Sequence, residues 1–476
     1  MNRFLTVLKI TRRSAILLVL SVALSSSIRT PLLEQLKERG SITVVTRNSP
    51  TAYYEDRNGP TGYEYELAKA FADYLGLELN LMIVTNQEEV LNALKSGKAD
   101  MAAAGLSKEQ TSESPLAYSP AYASITQQII YHRRNRKPES LKDMQDSRLM
   151  VPAGSRHAYT LRRWQHSEIP SLTWRETHDY DSSDLLQMIS DKELDYTLVN
   201  SNDFQLMRTY LPNLDVAFTL GDLQSVAWMF PDTYDRSVIE RAYDFFYRPE
   251  AGVLMASLSE RYYGHVEKFD YVGAHRFLRQ TKRVLPRYEN HFRQAADKYG
   301  FDWRLIAAMG YQESHWQRNA RSFTGVRGLM MLTMATAQEM GIEDRLDPKQ
   351  SIFGGTRYLN SVRNRLDESI QEPDRTWMAM AAYNVGLGHL EDARMLAEDL
   401  GRDPNLWLDI KETLPLLSQR RYYSKTRYGY ARGNEPVTYV QNIRRYYDVL
   451  VWNAEQVNKN FDDSADNAVT VIPPLQ

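Results

Sequence analysis

One glutamate stands where an apolar helix meets a glycine-bearing loop. The helix reads Asp302-Trp-Arg-Leu-Ile-Ala-Ala-Met-Gly-Tyr-Gln-Glu313-Ser314-His315-Trp316, and Gly325-Val-Arg-Gly328-Leu-Met330-Met331-Leu-Thr333 follows. Asp302 suits an N-cap, because its short carboxylate can accept from the free amides of the first turn. Ile306, Met309 and Glu313 recur at helical spacing, which puts Glu313 at the end of an apolar stripe. Burial there disfavours the charged carboxylate and raises its pKa from about 4.3. A raised carboxyl pKa is what a general acid requires. The same spacing also fits a glutamate that is simply exposed at a helix end.

Several other chemistries have no residues to carry them. The 476-residue chain contains no cysteine, which excludes thiolate catalysis, thiolate metal sites and a lipid-bearing N-terminal cysteine. Its nine histidines are scattered, without the close pairs of a zinc motif. A formal net charge of −2 lacks the basic footprint of a nucleic-acid partner. The 30 tyrosines fit core packing, or stacking on sugar rings.

The positioning elements fall into two regions. Residues 1–27 read as a secretory signal, with Arg3, Lys9, Arg12 and Arg13 before the apolar run Ser14–Leu24. An uncleaved anchor is the alternative. From Gly40 strands and helices alternate: strand Ser41–Thr46, helix Tyr63–Leu75, strand Leu77–Val84, helix Gln87–Lys95 and strand Ala99–Ala104. That order predicts a parallel sheet. A second set begins near Arg148 and includes helix Ser182–Ser190 and strand Tyr196–Asn200. Crossings near Ile125–Tyr131 and Val226–Phe230 would make a hinge. Residues 40–268 are expected to form this two-lobed α/β domain, and 269–284 a linker. Residues 285–453 read as a mainly α domain of short-connected helices, and 459–476 as a disordered tail. Gly300, Gly341 and Gly401 stand where C-terminal caps belong.

Glu313-Ser314, Gly328-Leu-Met330 and Ala382-Tyr383-Asn384, in that order, resemble the lytic transglycosylases of the lysozyme-like superfamily. Within them the chain is most similar to a membrane-bound branch in which a binding-protein-like domain precedes the catalytic one. Met331 stands where most relatives carry glutamine. The resemblance implies a lysozyme-like domain that cuts peptidoglycan glycan strands with one carboxylate and no cofactor. Glu313 would protonate the bond between N-acetylmuramic acid and N-acetylglucosamine. It would then take a proton from the muramoyl C6 hydroxyl, which closes on C1 as a 1,6-anhydro ring. Substrate contacts are implied for Ser314, Met330, Tyr383, Asn384 and Tyr439. Glu339, Asp344 and Asp347 match no second catalytic acid. The segment Pro415–Gly433, dense in Tyr and Arg, reads as one wall of a glycan groove or as an exposed cationic loop.

The first region resembles the solute-binding proteins of amino-acid transporters, on Gly59…Gly62-Tyr-Glu-Tyr-Glu-Leu-Ala, Leu94-Lys-Ser-Gly97-Lys-Ala-Asp100 and Tyr118-Ser-Pro-Ala-Tyr122. It implies a ligand cleft touched by Tyr54, Ser107, Tyr122 and Asn200. The family's carboxylate-clamping arginine is missing from the window Lys108-Glu-Gln-Thr-Ser-Glu113, and Asn200 replaces its ammonium-holding aspartate. A wall-derived peptide, or a docking role without ligand, fits better than a free amino acid. Export followed by a peripheral place at the outer membrane is the expected location. Two other readings stay open: a muramidase hydrolase on the same fold, and a transporter-associated binding protein with a decayed helical extension.

Overall fold

The computed structural model describes residues 30–49, 51–56, 59–108, 116–233, 235–266, 271–322 and 325–468. The leader read over 1–27 and the window 109–113 lie outside them. The chain divides into two compact units. One holds the residues up to Asn48 with Glu64–Ser124 and Gln224–Gly252; the other holds Ser49–Tyr63, Ile125–Leu223 and Val253 onward. The strands Ala123–His132 and Leu214–Val226 each contain a boundary between them.

The first unit is built on a five-stranded sheet. Its order is Glu78–Val84, Ser41–Arg47, Met101–Ala102, Met229–Pro231, Leu116–Tyr118. Ser41–Arg47 pairs in parallel with Glu78–Val84, Val44 beside Leu81, and with Met101 on its other edge. The parallel core is the one that alternating strands and helices predict. Met229–Pro231 enters antiparallel to both neighbours, because the chain returns here from its excursion into the other unit. Asn86 caps helix Gln87–Lys95 by accepting from Glu89 N, and that helix lays Val90 and Leu94 on Val45 and Met229.

The second unit begins as a lobe with a three-stranded sheet, ordered Tyr196–Asn200, Ala123–His132, Leu214–Val226. Successive residues of its central strand serve opposite faces. Ile129 packs with Leu161 and Leu198 on one side, and Ile130 with Leu186 and Phe204 on the other. The N-terminal half is therefore a two-lobed α/β assembly.

The rest of this unit is helical. Trp303–Ser314, Pro348–Arg365, Asp374–Val385, Leu387–Asp399 and Asn434–Ala468 surround one continuous core that includes Ile306, Met309, Leu359, Met380, Leu396 and Ile443. The segment read as a linker is instead a helix, Tyr271–Arg283. Its Phe277 is 1% exposed, with its ring centroid 4.6 Å from those of Tyr311 and Tyr446. Four arginines and lysines flank a single deeply buried aromatic, so the apolar stripe is too thin to read locally. The last helix also runs on to Ala468, through the start of the segment read as a disordered tail. It contains no glycine, and its one proline, Pro436, lies in the first turn, where helices tolerate it. Residues 469–476 lie outside the described part.

Candidate active site

Helix Trp303–Ser314 starts as its residues dictate. Asp302 accepts from Arg304 N at 2.8 Å, and Tyr447 of the last helix donates to the same carboxylate at 3.1 Å. From Leu305 to Tyr311 every residue is buried, so the helix runs through the core. Its end is sharp: His315 and Trp316 both adopt positive φ, 51° and 58°. Such residues are strained unless their surroundings enforce the geometry. Trp316 supplies that enforcement, since it is buried and its indole N–H donates to Ala307 O at 2.8 Å. Glu313 thus sits on the last turn before an abrupt exit.

The following loop is locked under that turn. Gly328 has φ +87°, and a Cβ there would lie 1.8 Å from Arg345 O, so no side chain fits. Ser314 Oγ donates to Leu329 O at 2.9 Å and to Gly310 O at 3.2 Å. Met330 N donates to Ser351 Oγ at 3.1 Å, and Tyr383 Oη donates to Met330 O at 2.9 Å. Room for the Met330 side chain comes from Gly355, where a Cβ would meet Met330 Cβ at 2.6 Å.

These contacts change the reading of two residues. Ser314 and Met330 are expected from the sequence to touch substrate, yet both are buried, and Met330 is 0% exposed. Their polar groups join helix, loop and the Asp374–Val385 helix. Met331 takes φ +47° and is half-buried. Tyr383 is likewise engaged in the loop, while Asn384 beside it is exposed.

The carboxyl of Glu313 lies among phenols. Tyr439, from helix Asn434–Ala468, donates its hydroxyl to Glu313 Oε1. Burial pushes the Glu313 pKa up from 4.5 to about 7, and the Tyr439 hydrogen bond pulls the other way. The residue keeps partial exposure, although protein atoms crowd its carboxyl end. Burial also holds the Tyr383 and Tyr439 hydroxyls well above their ordinary pKa, with the charge of Glu313 adding to it. Both phenols therefore stay neutral donors. No carboxylate is among the groups that perturb Glu313. Asp347 instead caps helix Pro348–Arg365 by accepting from Gln350 N, Asp344 accepts from Leu346 N in a turn, and Glu339 is exposed.

The four residues assigned to a ligand cleft fall in different units. Tyr54 and Asn200 lie in the second, Ser107 and Tyr122 in the first. Tyr54 opens a short strand paired with Gly59–Thr61. Ser107 is buried and bridges to Val226. The Tyr122 hydroxyl donates to Glu64 at 2.6 Å, and its ring stacks on Phe246. Asn200 Oδ1 is 3.1 Å from His157 Nε2.

Residues 290–405 match the Transglycosylase SLT domain family. That span contains Glu313, Met330, Tyr383 and Asn384 and ends before Tyr439. Over 431 residues the chain is 47% identical to a membrane-bound lytic murein transglycosylase F of Hahella chejuensis, covering 90% of this chain and 85% of that one. It is 50% identical over 424 residues to the protein of the same name from Ectopseudomonas mendocina, covering 88% and 86%. A solved cysteine-binding protein from Campylobacter jejuni aligns with 51% of this chain and 97% of its own, at 16% identity and TM-score 0.45. With relatives this similar over nearly the whole length, the chain belongs to the membrane-bound lytic murein transglycosylase F family.

Proposed function

We propose that this protein cleaves the β-1,4 bond between N-acetylmuramic acid and N-acetylglucosamine in peptidoglycan, with Glu313 as its single acid and base. Glu313 gives its proton to the bridging oxygen as the C1–O bond breaks. Its carboxylate then takes the proton of the muramoyl C6 hydroxyl while that oxygen bonds to C1. The proton is restored and no water is consumed. Glycosidases that add water normally use two carboxylates. The observation that supports the intramolecular route is that, among the described residues, the hydrogen-bond partner of the Glu313 carboxyl is the Tyr439 hydroxyl and not a second acid. Tyr439 holds the carboxyl in place. Tyr383 acts through the loop it pins, and the exposed Asn384 is the residue left to meet the sugar. Digested sacculi are expected to release fragments with 1,6-anhydromuramoyl ends, about 18 Da lighter than hydrated ones because one water is not added. Mass spectra showing only reducing muramic-acid ends would mean that water attacks, and the muramidase reading would replace this one.

The binding-protein-like region has a regulatory or localising role, and the ligand we assign to it is a wall-derived peptide. Support comes from the two positions that would clamp a free amino acid. The window 108–113 has no arginine, and Asn200 stands in place of an acid with its amide turned to His157. Titration calorimetry of the full chain with a synthetic stem peptide should give a saturable heat; its absence would leave the localising role alone. The relatives are named membrane-bound, and no helix among the described residues is long and apolar enough to cross a bilayer. We therefore place the protein in the periplasm, peripherally on the outer membrane.

A further inference from the structure

The segment between Leu414–Ser418 and the last helix is charged against the grain of the chain. The whole protein carries −2, yet residues 415–433 hold Arg420, Arg421, Lys425, Arg427 and Arg432 and no acid. All five are exposed. Glu435 answers Arg432 at 3.2 Å. Among the described residues, no acidic side chain pairs with the other four. Exposed tyrosines lie between these cations, Tyr428 at 52% and Tyr430 at 56%. Apolar and aromatic area left to solvent beside unanswered charge is the pattern of a surface made to be covered.

This surface is built rather than trailing. The buried Asp392 accepts from Arg427 N at 3.0 Å and from Tyr428 N at 2.9 Å. Ala431 N donates to Leu417 O, and at Gly433 a Cβ would lie 1.6 Å from Leu414 O. The Tyr428 ring presses on Gly388, where a Cβ would lie 2.8 Å from it. Gly388 lies in helix Leu387–Asp399, so the cationic segment is seated on the helix that follows, across Gly386, the one carrying the Ala-Tyr-Asn motif. Arg421 and Arg427 lie over the Tyr422 and Tyr428 rings, 4.7 and 5.4 Å from their centroids. Arg421 Nε donates to Gln419 Oε1 at 3.2 Å, and stacking occupies only the face of each guanidinium, so its terminal N–H donors point to where a planar anion can be met.

We infer that Arg420, Arg421, Lys425 and Arg427 bind the carboxylates of stem peptides on the glycan, making peptide-bearing strands the preferred substrate. The inference rests on the transglycosylase reading above. A strand stripped of its peptides keeps a single lactyl carboxylate on each muramoyl unit, whereas a stem peptide presents several carboxylates in its place. A surface of four cations without acidic partners, packed on the helix after the Ala-Tyr-Asn motif, matches the more highly charged, substituted polymer.

The test compares kcat/KM of the full-length protein on intact sacculi-derived strands and on the same strands after an amidase has removed the peptides. The native protein should favour the peptide-bearing strands by roughly fivefold, as expected of a few exposed charge pairs. That preference should fade in 0.5–1 M salt, where the screening length falls to about 3–4 Å. In R420Q/R421Q/K425Q/R427Q the ratio of the two substrates should fall toward one. Four results would overturn the inference. The native ratio could already be one, or it could be indifferent to salt. The variant could lose both substrates in equal proportion. Or the variant could keep the ratio while losing retention on anionic phospholipid vesicles, which would assign the cations to a membrane surface. Failure of the native protein to cut either substrate is a different outcome and would remove the transglycosylase reading itself.

Discussion

Glu313→Gln is expected to reduce wall cleavage by at least about a thousandfold while leaving the fold intact, since positioned proton transfer contributes about 10²–10⁴ and here acts in both steps. The amide has nearly the shape of the acid and can still accept from Tyr439, but it cannot release and recover a proton. The pH dependence has a definite sign. Glu313 must start protonated, and its pKa is raised to about 7, so the rate should fall as pH rises through about 7. Tyr439→Phe removes the hydrogen bond that favours the ionised form, so that alkaline limb should move to higher pH, with a loss of about tenfold in rate from poorer positioning. Stability gives an independent readout. In the unfolded chain this carboxyl ionises near 4.5, but in the fold not until about 7. Ionisation therefore erodes stability as pH rises from about 4.5 to about 7, and the loss persists above that. The glutamine variant escapes it and should be more stable than the native protein at pH 9, by about 1–3 kcal/mol, and no more stable at pH 4. Glu64 is buried and raised to about 7 as well, but it acts equally in both proteins and cancels in the comparison. Sacculus digestion and melts at the two pH values check both halves. A folded variant that cuts within tenfold of native would move the acid elsewhere.

Arg444→Ala should destabilise the second unit by about 3–5 kcal/mol, the usual penalty for breaking a buried ion pair by removing one member. Arg444 is 2% exposed and belongs to the last helix. It donates to Glu260 Oε1 at 2.9 Å, to Glu260 O at 2.8 Å and to Arg261 O at 2.6 Å. The two carbonyls lie in the last turn of helix Pro249–Tyr263, where helical donors run out; Glu260 O accepts from Gly264 N as well. Lys411 donates to the second oxygen of Glu260. Gly264 leaves the space, since a Cβ there would lie 2.0 Å from Glu260 Oε2. One acid is thus held by two cations, and with Arg444 gone it keeps Lys411 alone. Arg444 also lies over Trp377, 5.1 Å from its ring centroid, so tryptophan fluorescence during denaturation reports on the site. Glu260→Leu with Arg444→Met should recover most of the loss, because an apolar pair needs no hydration. A single-variant effect below about 1 kcal/mol would mean that water reaches Glu260 and the cluster is a surface feature.

The Arg444 cluster also accounts for a division that the sequence does not suggest. The second lobe shares one compact unit with the catalytic helices. Besides Arg444 and Glu260, Tyr210 stacks on Trp452 at 5.1 Å, and His265 binds Asp448. All these partners meet the last helix, which comes some 180 to 240 residues later in the chain and whose polar face reads as ordinary surface.

Short-range physics was legible from the residues alone. Helices Tyr63–Leu75, Gln87–Lys95 and Ser182–Ser190 and strand Tyr196–Asn200 have the bounds that period and caps predict. Asp302 caps its helix, Gly300 and Gly401 take left-handed φ where helices end, and Glu313 closes the apolar stripe. Each of these depends on neighbours within a turn or two, so the chain carries the information locally. Tertiary structure decided what each apolar or polar face would meet. Tyr439 reaches Glu313 from 126 residues away, and without the burial that the surrounding helices impose the carboxyl would titrate as an ordinary surface acid. Ser314 and Met330 became anchors because Leu329 O, Ser351 Oγ and Tyr383 Oη arrived to bind them. Phe277 turned a basic linker into a core helix because Tyr311 and Tyr446 made a place for its ring. Periodicity tells which side of an element is buried, but desolvation and hydrogen bonding sum over atoms brought together from distant parts of the chain, and only the fold assembles that sum.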